Sequence, residues 1–137
     1  MTDNSDGMLQ RSRNNERAAL LLMGKRNYDG SVVAFYYSVL QRMMYALNEA
    51  ERNPLPYDQQ KPLDGNIHYF ILSEIRSRIM NRRESEIFKE QFEDLFSFRK
   101  KADYKAESIS QEECAECRTT YEGLMYKLNR FFPIKAA

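Results

Sequence analysis

Apolar side chains recur at intervals of three and four residues along most of the chain, which is the spacing of one face of an α-helix. In residues 67–79 an isoleucine occupies every fourth position, and in residues 114–131 the apolar positions fall on a single face. No segment has the sustained alternation that would indicate a pair of β-strands. The pattern predicts an all-α fold.

Turn-forming residues divide this pattern into five helices. The first is expected over residues 8–26 and the second over residues 31–52, with Ser31 as its N-cap. Residues 53–66 contain three prolines and predict a long crossover loop. The third and fourth helices are expected over residues 67–83 and 85–104, and the fifth follows a capping box formed by Ser110 and Glu113. We therefore expect an up-and-down bundle of four longer helices plus one additional helix, with a disordered tail over residues 1–7 and a single domain over residues 8–133.

Composition limits the classes of partner. The chain has 137 residues, 42% of them hydrophobic, and a formal net charge of +1. A chain of this size builds one core, and its balanced charge means that nucleic acid can be bound only through a local basic patch. No apolar run approaches the roughly 18 residues of a membrane span, and the N-terminus has no signal-peptide pattern. We expect a cytoplasmic protein without membrane contact.

Motifs for cofactors and metals are missing. The chain has no GxxxxGK[ST], GxGxxG, GxSxG or HExxH segment, so we expect no cofactor and no metal site. Cys114 and Cys117 form a CxxC without a second ligand pair. Two buried, reduced thiols are the favoured interpretation, and a redox pair or a zinc half-site completed in a dimer remains open. The only histidine, His68, either packs near the start of a helix or acts as an acid–base group with an ordinary pKa of about 6.5.

The apolar stripe of the fourth helix ends on a cation. Phe88, Phe92 and Leu95 lie at helical spacing, and the next position on the stripe is Arg99. Burial of a guanidinium without a partner is costly, and Asp103, one turn later, supplies an opposite charge. In one interpretation this ion pair simply closes the end of the bundle. In the other, the pair lines a cleft in which Arg99 grips a phosphate through its planar fork of donors.

Further basic and aromatic residues favour the second interpretation. Three lysines flank Arg99 in sequence, and the end of the third helix and the start of the fourth are rich in arginine. Together with three tyrosines these residues predict a surface that binds phosphates and bases. The residues concerned are Lys100, Lys101, Lys105, Arg76, Arg78, Arg82, Arg83, Tyr36, Tyr37 and Tyr104.

Two segments resemble a known family. Residues 16–47 are similar to the first helical pair of small single-domain bacterial HEPN proteins (higher eukaryote and prokaryote nucleotide-binding), in which a Tyr-Asp turn precedes a helix centred on Ala-x-Tyr-Tyr. The matching residues are Tyr28, Asp29, Ala34, Phe35, Tyr36 and Tyr37. Residues 98–104, FRKKADY, resemble the later Arg-x-x-x-Asp-Tyr segment of the same group. Helix order also agrees, so the resemblance covers about residues 15–131.

The resemblance implies a helical bundle that is usually a homodimer, with the polar motifs of both subunits facing a shared cleft. Many HEPN proteins are metal-independent ribonucleases that serve as toxins or phage-defence effectors. Their motif is an Arg, which steadies the scissile phosphate, followed after four to six residues by a His that moves protons. Here Arg99 matches, Asp103 stands in the region of the His, and Tyr104 follows. In toxin pairs, a nucleotidyltransferase antitoxin can adenylylate a tyrosine at this place.

Two functional hypotheses follow. In the first, the protein engages RNA or a nucleotide phosphate in a toxin–antitoxin or defence system, either by binding it or as a metal-independent endoribonuclease that cleaves it. Its catalytic residues would be Arg99, Asp103 and Tyr104, its phosphate- and base-binding residues Arg99, Lys100, Lys101, Tyr36 and Tyr37, and its candidate acid–base group His68. In the second, the bundle is a non-catalytic interaction module that pairs with a nucleotidyltransferase or another partner, and the Arg99–Asp103 pair is purely structural.

Overall fold

The computed structural model describes residues 6–62, 65–104 and 107–134. Within these residues the chain forms five α-helices and no strand, which confirms the predicted fold class. The helices are α1 (Gly7–Gly24), α2 (Tyr28–Asn48), α3 (Ile67–Ser77), α4 (Arg82–Tyr104) and α5 (Gln111–Phe131), with a short 3₁₀ helix at Tyr57–Gln59. Four helices have 18 to 23 residues, and α3, the additional helix, has 11.

α1 and α2 form an antiparallel hairpin. The Ser12 hydroxyl donates to the Ser38 carbonyl oxygen at 2.7 Å, and the Ser31 hydroxyl donates to the Ala19 carbonyl oxygen at 2.8 Å. An early residue of one helix therefore meets a late residue of the other. All four residues are buried, so these bonds satisfy polar groups inside the bundle.

α4 and α5 are also antiparallel, whereas α5 runs parallel to α2. Lys101 Nζ lies 2.6 Å from Glu113 Oε2 at one end of the α4–α5 pair, and Arg130 Nη1 lies 3.6 Å from Glu84 Oε2 at the other. Ser38 of α2 hydrogen-bonds Tyr121 of α5. Further along both helices, Arg42 of α2 hydrogen-bonds Asn129 of α5, so the two helices run in the same direction. The four long helices therefore alternate in direction, as the up-and-down prediction requires.

α3 lies beside α4 and antiparallel to it. His68, at the start of α3, stacks on Phe96 near the end of α4, and Arg76, near the end of α3, donates to the Ser85 hydroxyl at the start of α4. α3 is therefore parallel to α2, and the connection between them is the crossover that the three prolines predicted. This arrangement decides which residues of α3 lie next to Arg99.

The core is centred on α2, whose wide apolar surface contacts every other helix. Thirteen of its residues are buried, a pattern that only a central helix can have. Cys114 and Cys117 are buried, free thiols on the inner face of α5, as the favoured interpretation predicted. Burial raises the pKa of the Cys117 thiol, so it stays protonated.

The predicted start of α2 was wrong. The N-cap is Asn27, whose side chain accepts from the Gly30 N–H, rather than Ser31, which is fully buried and bonds the backbone of α1. Asp29, in the first turn, accepts from the Ile109 N–H at 2.7 Å. This contact ties the first turn of α2 to the segment that leads into α5.

The first helix likewise begins within the predicted tail. Gly7 opens α1, and the Asp6 carboxylate caps it by accepting from two N–H groups of the first turn. Residues 6 and 7 therefore belong to the bundle, and the rest of the predicted tail, residues 1–5, lies outside the described residues. At the other end of the chain, the Ser110–Glu113 capping box is present as predicted.

The boundary between α3 and α4 also differs from the prediction. α3 ends at Ser77 rather than at residue 83, and α4 begins at Arg82 rather than at Ser85. The Asn81 side chain accepts from the Glu84 N–H at 3.0 Å, which supplies the start signal that the sequence analysis overlooked. In the parts of the chain described here, no helix combines the length and hydropathy needed to cross a membrane.

Candidate functional site

Arg99 lies near the end of α4 and points into the bundle. Its side chain is only 13% exposed. Nη2 donates to the Tyr37 hydroxyl oxygen at 3.0 Å, and Nε lies 2.8 Å from Asp103 Oδ2. The apolar stripe of α4 thus carries the guanidinium inwards, where it has one neutral and one charged partner.

Aromatic rings surround the same guanidinium. Its central carbon lies 5.5 Å from the ring centroid of Tyr36, 5.4 Å from that of Tyr37, 6.0 Å from Phe96 and 5.8 Å from Tyr104. Each ring face attracts a cation, and the attraction strengthens as water is excluded. The rings therefore offset part of the cost of removing Arg99 from water.

α3 brings His68 to the same place. Its Nδ1 is hydrogen-bonded to the Tyr36 hydroxyl. The imidazole stacks on Phe96 at 4.9 Å between centroids, and Phe96 stacks in turn on Tyr36 at 5.4 Å. His68 and Arg99 therefore share two aromatic neighbours, although they belong to different helices. We call Arg99, Tyr36, Tyr37, Phe96 and His68 the Arg99 cluster.

Electrostatics keep two members of this cluster neutral. Burial, and then the positive charge of Arg99, lower the pKa of His68, so the imidazole is neutral at pH 7. Burial raises the pKa of the Tyr36 phenol, which keeps its proton. A neutral imidazole has one N–H donor and one free lone pair. His68 is thus a proton acceptor held beside a fixed cation.

Two of the predicted lysines differ in their placement. Lys100 is exposed at the edge of the Arg99 cluster, with Nζ 4.9 Å from the Phe96 ring centroid. Lys101 lies on another face of α4, because two residues turn a helix by about 200°, and it pairs with Glu113 of α5 at 2.6 Å. Lys101 therefore faces α5, and its expected position beside Arg99 is not observed. Lys105 lies outside the described residues.

The predicted basic surface from two helices does not form. Because α3 is antiparallel to α4, the arginines at the end of α3 lie beside the start of α4, and Arg82 and Arg83 are roughly 24 Å along the helix axis from Arg99. Arg76 pairs with Glu86 at 2.7 Å, and Arg78 with Glu74 at 2.9 Å. Among the residues that the structure describes, Arg99 and Lys100 bring positive charge to the cluster.

Asp103 and Tyr104 lie at the mouth of the site. The Asp103 side chain is 31% exposed, and Tyr104 is 71% exposed with its ring facing the guanidinium. Both predicted residues therefore reach solvent and Arg99 at once. Phe96, which joins His68 to Arg99, was missed; its position three residues before Arg99 on the same helical face was the available signal.

A second inward arginine, which was not among the predicted site residues, lies in α2. Arg42 of α2 is fully buried, and burial lowers its pKa to about 10. Its guanidinium donates to the Phe132 carbonyl oxygen at 2.6 Å and to Asn129 Oδ1 at 3.1 Å. These acceptors lie at the end of α5, so Arg42 caps that helix. The signal was a charged residue on the same helical face as Val39 and Ala46, in the most apolar helix.

Protein-family models, curated proteins and solved structures were compared with this chain, and none matches it. The resemblance to HEPN proteins consequently stays a prediction that rests on its two segments. Across residues 6–62, 65–104 and 107–134, no group of three or more His, Cys, Asp or Glu side chains is placed to hold a metal ion.

Proposed function

We propose that the protein is a HEPN-like RNA-engaging protein in which the Arg99 cluster holds an RNA phosphate and His68 moves a proton during metal-independent cleavage. One observation carries the proposal: His68 and Arg99 meet around Tyr36 and Phe96. The HEPN motif expects a His after the Arg on one helix. Here the His lies on a different helix, α3, and packs against Phe96 and Tyr36 of the Arg99 cluster.

The chemistry needs only groups of the cluster and of the RNA. With Nδ1–H donating to the Tyr36 oxygen, Nε2 of His68 has a free lone pair and accepts the proton of a ribose 2′-hydroxyl. The 2′-oxygen forms a bond to the adjacent phosphorus, the bond from phosphorus to the 5′-oxygen breaks, and the leaving 5′-oxygen takes back the proton that His68 accepted. Donors of Arg99 stabilise the negative charge that builds on the phosphate oxygens.

Exposed residues at the mouth fit the binding of RNA. Tyr104 offers an accessible ring on which an unpaired base can stack, and Lys100 adds a positive charge for the backbone. A homodimer, a nucleotidyltransferase partner and a cytoplasmic location, which the resemblance implies, belong to the same proposal. Tyr104 is accessible enough for the adenylylation that such a partner would perform.

A second candidate function is the non-catalytic interaction module. Two observations favour the interaction module. Only 13% of the Arg99 side chain is exposed, and its guanidinium already contacts Tyr37 and Asp103. In this case the Arg99–Asp103 pair only closes the end of the bundle. Substitution of Arg99 would then lower stability without changing any property towards RNA.

The test is incubation of the purified protein with labelled single-stranded RNA in the presence of a chelator. We expect His68→Gln to lower the cleavage rate by about 10²-fold or more while RNA still binds. Arg99→Ala should weaken binding by about tenfold, the size of one lost charge-assisted contact. Arg130→Ala, an exposed arginine on α5, is the matched control and should change neither.

Each alternative has its own signature in this experiment. Cleavage that continues unchanged in Arg99→Ala removes Arg99 from the mechanism. A lower melting temperature for Arg99→Ala, together with unchanged RNA binding and cleavage, supports the interaction module. Retained cleavage in His68→Gln shows that another group moves the proton.

A further inference from the structure

The ion pair between Arg99 and Asp103 is close but poorly directed. Nε lies 2.8 Å from Asp103 Oδ2, yet the buried Nε–H makes no well-directed hydrogen bond to any described residue. A carboxylate that matches a guanidinium well uses two parallel N–H···O bonds. Asp103 uses one contact, since Nη2 donates to Tyr37 instead. Charge, more than hydrogen bonding, holds the carboxylate in place.

The position of Asp103 in α4 also weakens the pair. Asp103 lies in the last turn of the helix, which ends at Tyr104, and the negative end of the helix dipole repels a carboxylate there. An acidic residue four positions after a basic one is the less favourable order for a helical ion pair. Because the side chain is 31% exposed, it can turn into solvent when another anion takes its place.

Arg99 does not need Asp103 to keep its orientation. The four aromatic rings and the hydroxyl of Tyr37 contact the guanidinium independently of the carboxylate. If Asp103 turns away, a cation remains fixed in a partly buried site, with Nε free for a new acceptor. An RNA phosphodiester carries the same single negative charge as the carboxylate that it would replace, but its neighbouring base and phosphate add contacts with Tyr104 and Lys100.

We propose that the Asp103 carboxylate occupies the place of the RNA phosphate on Arg99 and competes with it, so that Asp103 lowers the affinity of the site. This inference rests on the proposed function, and it gives Asp103 a role opposite to that of a catalytic or orienting residue. Because of this competition, weakly bound anions would not displace Asp103 from Arg99, whereas ligands that make additional contacts would.

The test measures the affinity for a fluorescent single-stranded RNA whose 2′-hydroxyls are methylated, so that it cannot be cleaved. Asp103→Asn removes the competing charge, and we expect it to bind about fivefold more tightly than the wild type. Asp94→Asn is the matched control, because Asp94 is an exposed carboxylate of the same helix. It lies about half a turn away from Asp103 around the helix. It changes the net charge equally and should alter affinity less than about twofold.

The outcomes separate this inference from the proposed function. Tighter binding in Asp103→Asn that disappears in the double variant with Arg99→Ala supports both. Arg99-dependent binding that is unchanged or weaker in Asp103→Asn overturns the competition and leaves the proposed function standing. If no variant shows Arg99-dependent binding, both are wrong. Asp103→Ala repeats the measurement without an amide that could bond Arg99, and thermal unfolding checks that each variant is folded.

Discussion

Replacement of Arg42 by Met tests whether a buried arginine holds the end of α5. The guanidinium, which is fully buried, donates to the Phe132 carbonyl oxygen at 2.6 Å, to the Leu128 carbonyl oxygen at 3.4 Å, and to Asn129 Oδ1 at 3.1 Å from Nη2 and 3.3 Å from Nε. Met keeps much of the length of the side chain but donates no hydrogen bond. Arg42→Met therefore leaves the helix end without its cap while keeping the core filled.

Two opposing contributions set the size of the effect. Hydrogen bonds from a charged donor contribute about 1.5–3 kcal/mol each, and the longest of these contacts contributes least. Against them stands the cost of burying the charge, which is visible in the lowering of the Arg42 pKa from 12.5 to about 10; a shift of this size corresponds to about 3 kcal/mol. We expect Arg42→Met to lower the free energy of unfolding by about 2–3 kcal/mol.

The assay is urea unfolding followed by far-ultraviolet circular dichroism, with Arg130→Met as the control. Arg130 is 58% exposed and lies 3.6 Å from Glu84, so its loss should change the free energy by less than about 0.5 kcal/mol. Amide hydrogen exchange should also speed up at residues 128–132 in Arg42→Met. A variant as stable as the wild type, or more stable, would refute the reasoning, because the burial cost would then exceed what the bonds return.

Three further predictions concern other parts of the chain. Because the pKa of His68 is lowered in the folded state, the unfolded state binds more protons below pH 6.5, and the free energy of unfolding should fall as the pH drops from 7 to 5. Urea midpoints measured at both pH values should fall less for His68→Gln than for the wild type, and an equal fall would contradict the lowered pKa of His68. Cys114 and Cys117 should resist alkylation in the folded protein and react in urea, as followed by mass spectrometry, because both are buried; rapid labelling of the native protein would show that α5 opens. Lys101→Met should leave RNA affinity within about twofold of the wild type, since the ammonium faces Glu113 in the groove between α4 and α5; a tenfold loss in a binding titration would place Lys101 at the RNA.

Much of the candidate site could be predicted from the helical spacing of residues in the sequence. The stripe that ends on Arg99 predicted an inward guanidinium, and the helical spacing to Asp103 predicted their contact. Tyr36 and Tyr37 were also expected near Arg99, and both rings face it. The face of Lys101 was also available from local pattern, because two residues turn a helix by about 200° and so place Lys101 and Arg99 on different faces of α4.

Other features depended on the direction of α3. The residues near His68 do not themselves tell whether α3 runs with or against α4. The short connection over residues 78–81 sets that direction, because it folds α4 back against α3. The observed direction places His68 beside Phe96 and sends Arg76 and Arg78 to the opposite end of α4. The direction of α3 therefore created the contact between His68 and Phe96, and it separated the arginines of α3 from Arg99, so that the predicted basic surface does not form.

The sequence by itself determined the helices, their inner faces and the capping box of α5, because hydrophobic periodicity and capping act between residues only a few positions apart. The tertiary structure alone decided that His68 and Arg99 share Tyr36 and Phe96 as neighbours and that Arg42 caps α5. The physical reason is that burial and long-range hydrogen bonds depend on which helices lie side by side. That arrangement is set by the packing of the whole core rather than by any local segment.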